Sequence, residues 1–349
     1  MKKTLALAFM ALTLGLAGNA LAAGTLTVFI WSEYMDPDVI ADFEKKYDVK
    51  VKLDYYESNE EMVVKLEKGG GLGKYDIIVP STYFMPSLTN LNLIQELDHA
   101  KIPNIKNLDP QFTTLEADPG NKYTIPYQWG TSGLAVRSQN IEDVPKSFGL
   151  LFNPALNRKN SFLLFDTARD GIGSALKYLG YSLNSTNPKE IEEAVRLLSE
   201  IKKLPNFLGF DGGVGGLNKV MGGFANVAQV YNGETIRAGE EDPDVHYIMP
   251  EEGCEIWTDL VAIPQKAPNL ENAYLFMNYI MEPEVAAQLA TYNRYATPNA
   301  AAKAFIPQED LDNPVLYPDQ SKFTKMEYIK DLGSANRLYD EAWTTIKTQ

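Results

Sequence analysis

Strand and helix patterns alternate through the first eighty residues, and this alternation constrains the fold more than any other feature of the chain. Residues 26–30 form an apolar strand-like run, an aspartate–proline pair at 36–37 marks a helix start, and residues 49–55 alternate as a half-buried strand should. A helical stripe at 62–66 then leads to an apolar strand at 76–80. This order predicts an α/β fold in which a mainly parallel sheet is flanked by helices.

The first 22 residues have the pattern of a secretory signal peptide. Lys2 and Lys3 precede an apolar stretch at 5–16, which is too short to span a bilayer, and the residues at 20–22 fit a cleavage site. No later segment reaches 18 uninterrupted apolar residues. Cys254, the single cysteine, lies far from this site and has no partner for an internal disulfide. We predict cleavage near Ala22 and a freely diffusing protein of a bacterial periplasm.

The length of the chain indicates two domains, and its net charge is compatible with a cationic ligand without specifying one. The mature chain is long enough for two domains of typical size. Removing residues 1–22 removes two lysines and no acidic residue, which leaves 30 basic and 46 acidic side chains and a net charge of −16. Such a charge repels nucleic acid and favours cations, so we expect no nucleic-acid partner. We predict a monomer with two lobes, residues 23–133 plus 257–302 forming lobe 1 and residues 134–256 plus 303–349 forming lobe 2.

Aromatic and polar residues follow the first and third predicted strands. The residues in question are Trp31, Ser32, Glu33 and Tyr34 after the first strand and Ser81 and Tyr83 after the third. A tryptophan or tyrosine after a strand is more often a packing residue than a binding residue. In open α/β sheets, however, ligands bind in the crevice beyond the carboxyl ends of the strands. The shared position of the two segments therefore favours a binding site.

The same arrangement recurs in the second half of the chain. The apolar run at 162–165 leads to Asp166, Thr167 and Asp170, and the run at 225–230 leads to Tyr231 and Glu234. Two lobes joined by several chain crossings form a cleft and a hinge, which is the geometry of ligand capture by domain closure.

Asp259 lies inside an otherwise apolar run, 256–264, that reads as a buried strand. Removing an unpaired carboxylate from water costs several kcal/mol, so buried carboxylates are normally paired or hydrogen-bonded. The neighbouring Trp257 suits an organic ammonium, because an aromatic face attracts a cation and packs on its methylenes. The alternative is an aspartate satisfied by backbone N–H groups or by an arginine.

Residues for catalysis or cofactor binding are scarce. The two histidines, His99 and His246, have no serine, cysteine or metal-ligand companion at a recognisable spacing, so a histidine-based enzyme, a metal site and a cofactor are not expected. The glycine-rich run at 212–219 lacks the ending of a phosphate loop and is interpreted as a flexible loop. Paired carboxylates with aromatic rings leave one enzymatic alternative, an exported glycoside hydrolase. That alternative predicts one carboxyl with a raised pKa, whereas a binding slot predicts ionised carboxylates.

Several separated motifs, in order along the mature chain, resemble the spermidine/putrescine periplasmic binding proteins of polyamine ABC transporters. The motifs are Trp31-Ser32-Glu33-Tyr34, Tyr56-Glu57-Ser58-Asn59-Glu60, Val79-Pro80-Ser81-Thr82-Tyr83, Ile125-Pro126-Tyr127-Gln128-Trp129-Gly130, Trp257-Thr258-Asp259 and Thr297-Pro298-Asn299. The resemblance implies a type II two-lobed periplasmic binding protein that closes on a linear polyamine. It also implies delivery of that polyamine to an inner-membrane ABC permease complex or, as an alternative, presentation to a membrane sensor.

The resemblance also implies roles for individual residues. The aromatic slot carries over to Trp31, Tyr34, Tyr83, Tyr231, Trp257 and Tyr295, with Ser32 and Ser81 as polar contacts. Asp259 matches the most dependable carboxylate of the family, which is expected to hold an amine near the middle of the ligand. On this basis we expect Glu33, Asp170, Glu234 and Asp259 to set the positions of the amines.

Four positions depart from the pattern of spermidine-preferring relatives. Thr167 stands where those relatives carry an acid, Asp170 replaces a longer glutamate, and Ile329 replaces a glutamine. Glu234 falls where putrescine-preferring relatives place an acid. A missing acid is costly because an unmatched buried ammonium loses its hydration without compensation. The preferred polyamine, whether spermidine, putrescine or a close analogue, therefore depends on these positions.

Overall fold

The computed structural model of the protein describes residues 24–68 and 70–348. The predicted signal peptide, residues 1–22, lies outside the described residues. The strands are β1 (Gly24–Trp31), β2 (Val49–Tyr56), β3 (Ile77–Ile78), β4 (Thr124–Arg137), β5 (Phe162–Phe165), β6 (Phe207–Asp211), β7 (Val227–Tyr231), β8 (Val245–Ile248) and β9 (Ile256–Ala262).

The helices differ widely in length. They are α1 (Pro37–Tyr47), α2 (Asn59–Lys68), α3 (Met85–Asn90), α4 (Gly149–Phe152), α5 (Pro154–Asn157), α6 (Ala168–Tyr178), α7 (Pro188–Lys202), α8 (Gly213–Met221), α9 (Asn232–Glu241), α10 (Leu270–Ile280), α11 (Pro283–Asn293), α12 (Gln308–Leu311), α13 (Gln320–Phe323) and α14 (Asn336–Thr348). Within the described residues, none of them is long and apolar enough to cross a membrane.

The strands form one sheet in the order β2-β1-β3-β9-β4-β7-β5-β6, with β8 also paired to β4. In one half of the sheet β1 runs parallel to β2 and β3, and in the other half β5 runs parallel to β6 and β7. The pairings that involve β4 or β9, in the middle of the sheet, are antiparallel. The predicted α/β fold is confirmed, with parallel strands in both halves.

Strand β4 belongs to both halves of the sheet. Residues 124–131 pair with β9, and residues 132–137 pair with β7 and β8. The strand is buried from Thr124 to Val136. Gly130 sits at the change of partner, where a Cβ atom would lie 2.5 Å from the Trp257 ring. Only glycine therefore allows β4 to pass this close to the tryptophan.

The predicted helix start at 36–37 is confirmed, because the capping side chain forms the expected hydrogen bond. Asp36 Oδ1 accepts from the backbone N–H of Asp38 at 2.8 Å, and Pro37 is the first residue of α1. Asn187 caps α7 in the same way, because its Oδ1 accepts from the N–H of Lys189. Each cap satisfies a donor that the first helical turn leaves unpaired.

The interpretation of residues 212–219 as a flexible loop is wrong, because residues 213–221 form the helix α8. Asp211 orders both ends of this segment, since its Oδ1 accepts from the N–H of Gly212 and its Oδ2 accepts from Lys219 Nζ at 2.5 Å. A Cβ atom on Gly216 would lie 3.3 Å from the Ala228 side chain, so the glycine lets the helix lie close on β7. The glycines here serve packing.

Buried apolar residues form two large clusters, one in each half of the sheet. The first contains side chains of β1, α1 and α10, and the second contains side chains of β5, α7 and α14. Phe112 and Trp129 belong to the second cluster although the predicted boundary puts them in lobe 1. Ala302 and Ile306 pack against α11. The exact lobe boundaries remain a prediction.

Candidate functional site

A cavity of about 1300 Å³, counting the volume open to solvent at its mouth, lies where strands of the two halves end. Segments after β1 and β3 line one side, segments after β5 and β7 line the other, and β9 contributes side chains from the middle of the sheet. The lining residues are Trp31, Ser32, Tyr34, Glu57, Asn59, Ser81, Tyr83, Phe165, Asp166, Thr167, Asp170, Gly212, Gly213, Val214, Gly215, Tyr231, Glu234, Glu255, Trp257, Asp259 and Tyr295.

The structure brings thirteen of the fourteen residues proposed from the sequence into this cavity. They are Trp31, Ser32, Tyr34, Ser81, Tyr83, Asp166, Thr167, Asp170, Tyr231, Glu234, Trp257, Asp259 and Tyr295. The rule that ligands bind beyond the carboxyl ends of strands therefore located the cavity from the sequence.

Glu33 is the residue that the structure leaves outside the cavity lining. Its side chain is 79% exposed, and its carboxylate lies 4.0 Å from Arg237. The backbone of Glu33 adopts φ 55, a left-handed conformation that turns the chain between Trp31 and Tyr34. This turn directs the two aromatic side chains inward while Glu33 remains in solvent. The expectation that Glu33 sets an amine position is not supported by this placement.

Asp259 lies on β9 and is 7% exposed. The Ser81 hydroxyl donates to its Oδ1 at 2.7 Å, and a backbone bridge joins the same two residues. No lysine or arginine of the described chain contributes to its electrostatic environment. The alternative of an aspartate neutralised by an arginine is therefore not what the structure contains.

The pKa of the Asp259 carboxyl is raised to about 7. Burial is the main cause, and the negative charge of Glu234 acts in the same direction, whereas the hydrogen bond from Ser81 opposes them. This raised pKa differs from the expectation that the carboxylates of a binding slot are ionised. An ammonium group next to Asp259 would reverse this shift, because an opposite charge favours the ionised form.

Aromatic rings form the walls of the cavity. Trp257 makes an edge contact with Tyr295 at 4.8 Å between ring centroids and another with Tyr231 at 6.0 Å. Tyr34 packs edge-on against Tyr295 at 5.7 Å. Trp31 is fixed by a hydrogen bond from its Nε1 to the carbonyl oxygen of Val79 at 2.9 Å. Such a set of rings offers apolar contact to methylene groups and electrostatic attraction to cations.

Glu234 lies at the first turn of α9 and accepts a hydrogen bond from the Tyr295 hydroxyl. Burial raises the pKa of Tyr295 well above its usual value, and the charge of Glu234 adds to this shift. The charge of Glu234 also raises the pKa of Asp259, so the two carboxyl groups belong to the same region of the cavity.

Asp166 and Asp170 differ in their partners although both follow β5. The exposed Asp166 is already paired, because Lys347 Nζ lies 2.7 Å from its Oδ1. Asp170 lies in the first turn of α6 and accepts a hydrogen bond from the hydroxyl of Thr167, which caps that helix. Of these two acids, Asp170 is the one with a carboxyl available for a ligand.

Glu255 is the most important cavity residue that the sequence reasoning missed. The Ser132 hydroxyl donates to its Oε2 at 2.5 Å. Burial raises the pKa of the Glu255 carboxyl well above its usual value, and the adjacent Asp170 carboxyl adds to the shift, while Ser132 and Arg169 oppose it. Strand alternation contained a signal for this residue, because positions 255, 257 and 259 point to the same face of a strand.

Other missed residues lie at the rim of the cavity and at the end of β5. Glu57 accepts a hydrogen bond from the Ser32 hydroxyl at 2.6 Å, and Asn59 Nδ2 donates to the Tyr83 hydroxyl at 3.3 Å. Phe165 packs on Tyr231 at 4.9 Å between ring centroids. Local sequence does not indicate these two contacts, because Glu57 and Asn59 bond to partners about 25 residues away in the chain.

Ile329 does not line the main cavity. It is buried and faces a small chamber, with room for about one water molecule, whose lining includes Asp170, Glu255, Arg169 and Lys177. This chamber lies behind the two carboxyls. Asp170 and Glu255 line both the chamber and the main cavity, whereas Ile329 lines the chamber alone.

Neither histidine belongs to the cavity lining. His99 Nε2 forms a hydrogen bond with the backbone oxygen of Asn121 at 2.7 Å, and His246 Nε2 forms one with the backbone oxygen of Ser138 at 3.0 Å. Each histidine is thus held by a backbone carbonyl outside the cavity. Among residues 24–68 and 70–348, no group of three or more histidine, cysteine or acidic side chains is arranged to hold a metal ion.

A two-half α/β fold with an aromatic and acidic cavity between strand ends defines a solute-binding protein, and the comparisons with known proteins agree. The family of bacterial extracellular solute-binding proteins matches residues 38–316. The chain belongs to this family.

Within the family, polyamine-binding proteins are close relatives. The chain is 38% identical to the spermidine/putrescine-binding periplasmic protein of Salmonella typhimurium, with 97% of this chain and 96% of the relative covered. It is 34% identical to the putrescine-binding periplasmic protein of Pseudomonas aeruginosa, with full coverage of both chains. A crystal structure of the spermidine/putrescine ABC transporter substrate-binding protein of Streptococcus pneumoniae has a TM-score of 0.81 and 32% identity and covers 93% of this chain and 98% of that one.

These relatives confirm the resemblance drawn from the separated motifs. They also confirm the prediction of a substrate-binding protein and not an enzyme, since they are binding proteins of transport systems. The glycoside hydrolase alternative has no support among them.

Proposed function

We propose that the protein binds one linear polyamine, such as spermidine, putrescine or a close analogue, in the cavity between the two halves of the sheet, and delivers it to an ABC permease. The observation that carries this proposal is Asp259, a buried carboxyl that faces an aromatic cavity and has no cationic partner in the described chain. The names of the relatives in Salmonella typhimurium and Pseudomonas aeruginosa support the same ligand class.

The chemistry of a polyamine fits the composition of the cavity. Each ammonium group requires a carboxylate or several acceptors as it leaves water, and the methylenes between the amines require apolar walls. Asp259, Glu234, Asp170 and Glu255 supply the acids. Rings such as Trp257 supply the walls and attract the cations at the same time.

A thermal-shift screen tests the ligand class. We expect putrescine, cadaverine, spermidine, norspermidine or spermine to raise the melting temperature, because a ligand at a hundred times its Kd stabilises a protein by about 2.7 kcal/mol. Neutral oligosaccharides of similar length serve as the matched control and are expected to leave it unchanged. Stabilisation by a sugar and by no amine would overturn the proposal.

The proposal also covers the export of the protein, its oligomeric state and its transport partner. The relatives are periplasmic, which supports export of this chain, and we propose that cleavage near Ala22 releases a monomer. N-terminal sequencing of the secreted protein and light scattering test these two points, and uptake of labelled polyamine by cells with and without the gene tests delivery.

A further inference from the structure

The end of β2 is joined to the residues that follow β3, although β1 lies between these two strands in the sheet. The hydroxyl of Tyr56 donates to the carbonyl oxygen of Val79. Three residues further on, Asn59 forms hydrogen bonds with Ser81 and with Tyr83. The chain segment that carries Ser81 and Tyr83 to the cavity is therefore held from the edge of the sheet.

The amide of Asn59 is fully committed to this segment. The residue is 2% exposed and is the first of α2, but the start of that helix is served by the hydroxyl of Ser58, which accepts from the N–H of Glu61. Asn59 Oδ1 accepts from the backbone N–H of Ser81 at 3.1 Å, and its Nδ2 donates to the hydroxyl of Tyr83 at 3.3 Å. A backbone N–H can only donate, so this bond fixes the orientation of the amide.

Ser81 connects Asn59 to the carboxyl of Asp259. The residue precedes a short helical turn, 82–84, with φ −79 and ψ 152, which is the usual backbone conformation of a capping serine. Its hydroxyl does not cap this turn. It donates to Asp259 Oδ1 at 2.7 Å, while the N–H of the same residue is bonded to Asn59. The amide of Asn59 thus holds the residue whose hydroxyl is directed at Asp259.

Packing alone does not explain an asparagine at this position. Asn59, Met62 and Leu66 are the buried residues of α2 and share one face of the helix. Met62 and Leu66 belong to an apolar cluster in this half of the sheet. An apolar side chain at position 59 would continue their stripe without the cost of burying an amide. The asparagine is therefore better explained by its contacts with Ser81 and Tyr83.

We propose that Asn59 is a positioning residue of the polyamine site, which holds the segment after β3 so that the Ser81 hydroxyl faces Asp259 and the ring of Tyr83 lines the cavity. This inference rests on the proposed function and adds to it a residue that acts on the ligand through others. A hydrogen bond donated to a carboxylate favours its ionised form. Asn59 therefore helps to keep Asp259 in the state that an ammonium group requires.

Calorimetric titration of Asn59→Ala with spermidine at pH 6 and pH 8.5 tests the inference. The variant leaves the N–H of Ser81 without its partner and releases the hydroxyl from Asp259, so the Kd is expected to rise about tenfold at pH 6. At pH 8.5 the expected rise is about threefold, because loss of the Ser81 hydrogen bond raises the pKa of Asp259 and this matters only where protonation competes with the amine. The other ionisable side chains that interact with Asp259 are unchanged in the variant; they are Tyr34, Tyr56, Tyr127 and Glu234.

Two further variants show whether Asn59 acts through Ser81. In a Ser81→Ala background there is no hydroxyl to position, so Asn59→Ala is expected to raise the Kd by about threefold at both pH values, the part that Tyr83 carries. Asn59→Ser has a side chain too short to replace the amide and is expected to behave like Asn59→Ala. It takes the place of the alanine variant if that variant does not fold.

Asn157→Ala is the matched control for a purely structural asparagine. Asn157 is 0% exposed and donates to the carbonyl oxygen of Leu151 at 2.6 Å, but it does not line the cavity. The same residue change is expected here to lower the unfolding free energy and to leave the spermidine Kd within about twofold at both pH values.

The possible results separate this role from the proposed function. A loss of affinity that narrows at pH 8.5 and shrinks in the Ser81→Ala background supports the role of Asn59. An unchanged Kd, a loss that is independent of pH, a loss that persists in full without the Ser81 hydroxyl, or an equal loss in Asn157→Ala overturns it while the proposed function stands. Unfolding of both Asn59 variants also overturns it, because the residue is then structural. Failure of the unaltered protein to bind any polyamine would overturn the proposed function itself.

Discussion

Asp259→Asn is expected to weaken spermidine and putrescine binding by about two to four orders of magnitude. Asparagine keeps the shape of the side chain and its hydrogen bond with Ser81 but removes the charge. Removing one partner of a buried charge pair costs about 3–5 kcal/mol, since the other charge stays desolvated and unpaired. Calorimetric titration of the variant with both amines measures the effect.

Asp166→Asn is the matched control for this experiment. The residue change is identical and the site lines the same cavity, but Asp166 is exposed and already paired with Lys347. Exposed pairs contribute little, about 0–1 kcal/mol, so the expected loss of affinity is less than about tenfold. An Asp259→Asn variant that binds polyamines as tightly as Asp166→Asn would contradict the role assigned to Asp259.

The same Asp259→Asn substitution is expected to stabilise the empty protein, and increasingly so as the pH rises. The pKa of Asp259 is about 7 in the folded state, against about 4 in an unfolded chain, so the folded state binds an extra proton between these values. Its stability relative to the asparagine variant then falls by up to roughly 1.4 kcal/mol per pH unit, which amounts to roughly 2 kcal/mol from pH 5 to pH 7, and the difference levels off at higher pH.

Denaturant unfolding of both proteins without ligand, at pH 5, 7 and 8, measures this difference. The unfolding free energy of the variant is expected to exceed that of the wild type by more at pH 7 than at pH 5. Glu33→Gln, at an exposed site, is expected to show no such trend. A difference that is constant with pH would show that the burial of Asp259 does not raise its pKa. Together with the binding result, the trend would identify Asp259 as a residue kept for function at a cost in stability.

The sequence predicts the elements that depend on local patterns. The cap formed by Asp36, the existence of strand β2 and the apolar run around Asp259 each depend on neighbours a few residues away. The cavity follows from a topological rule, because strands that run parallel end at the same edge of a sheet. For this reason Trp31, Tyr83 and Tyr231, which lie at or after the ends of three different strands, line the same cavity.

The sequence does not predict features that depend on distant partners or on a single backbone angle. Glu33 turns outward because of one left-handed residue conformation, which its neighbours in sequence do not specify. The importance of Glu255 depends on Asp170, 85 positions earlier, and on Ser132. The helix α8 was interpreted as a loop because glycines are usually breakers, whereas here Gly216 allows close packing on β7.

The most direct test of the central claim is an equilibrium titration of the purified protein with spermidine and with putrescine at pH 8 and pH 6. We expect saturable binding of one polyamine per chain. For spermidine the Kd is expected to be about tenfold higher at pH 6, because protonation of a carboxyl with a pKa of about 7 competes with the ammonium group. No saturable binding of either amine at either pH would contradict the assignment of the cavity as a polyamine site.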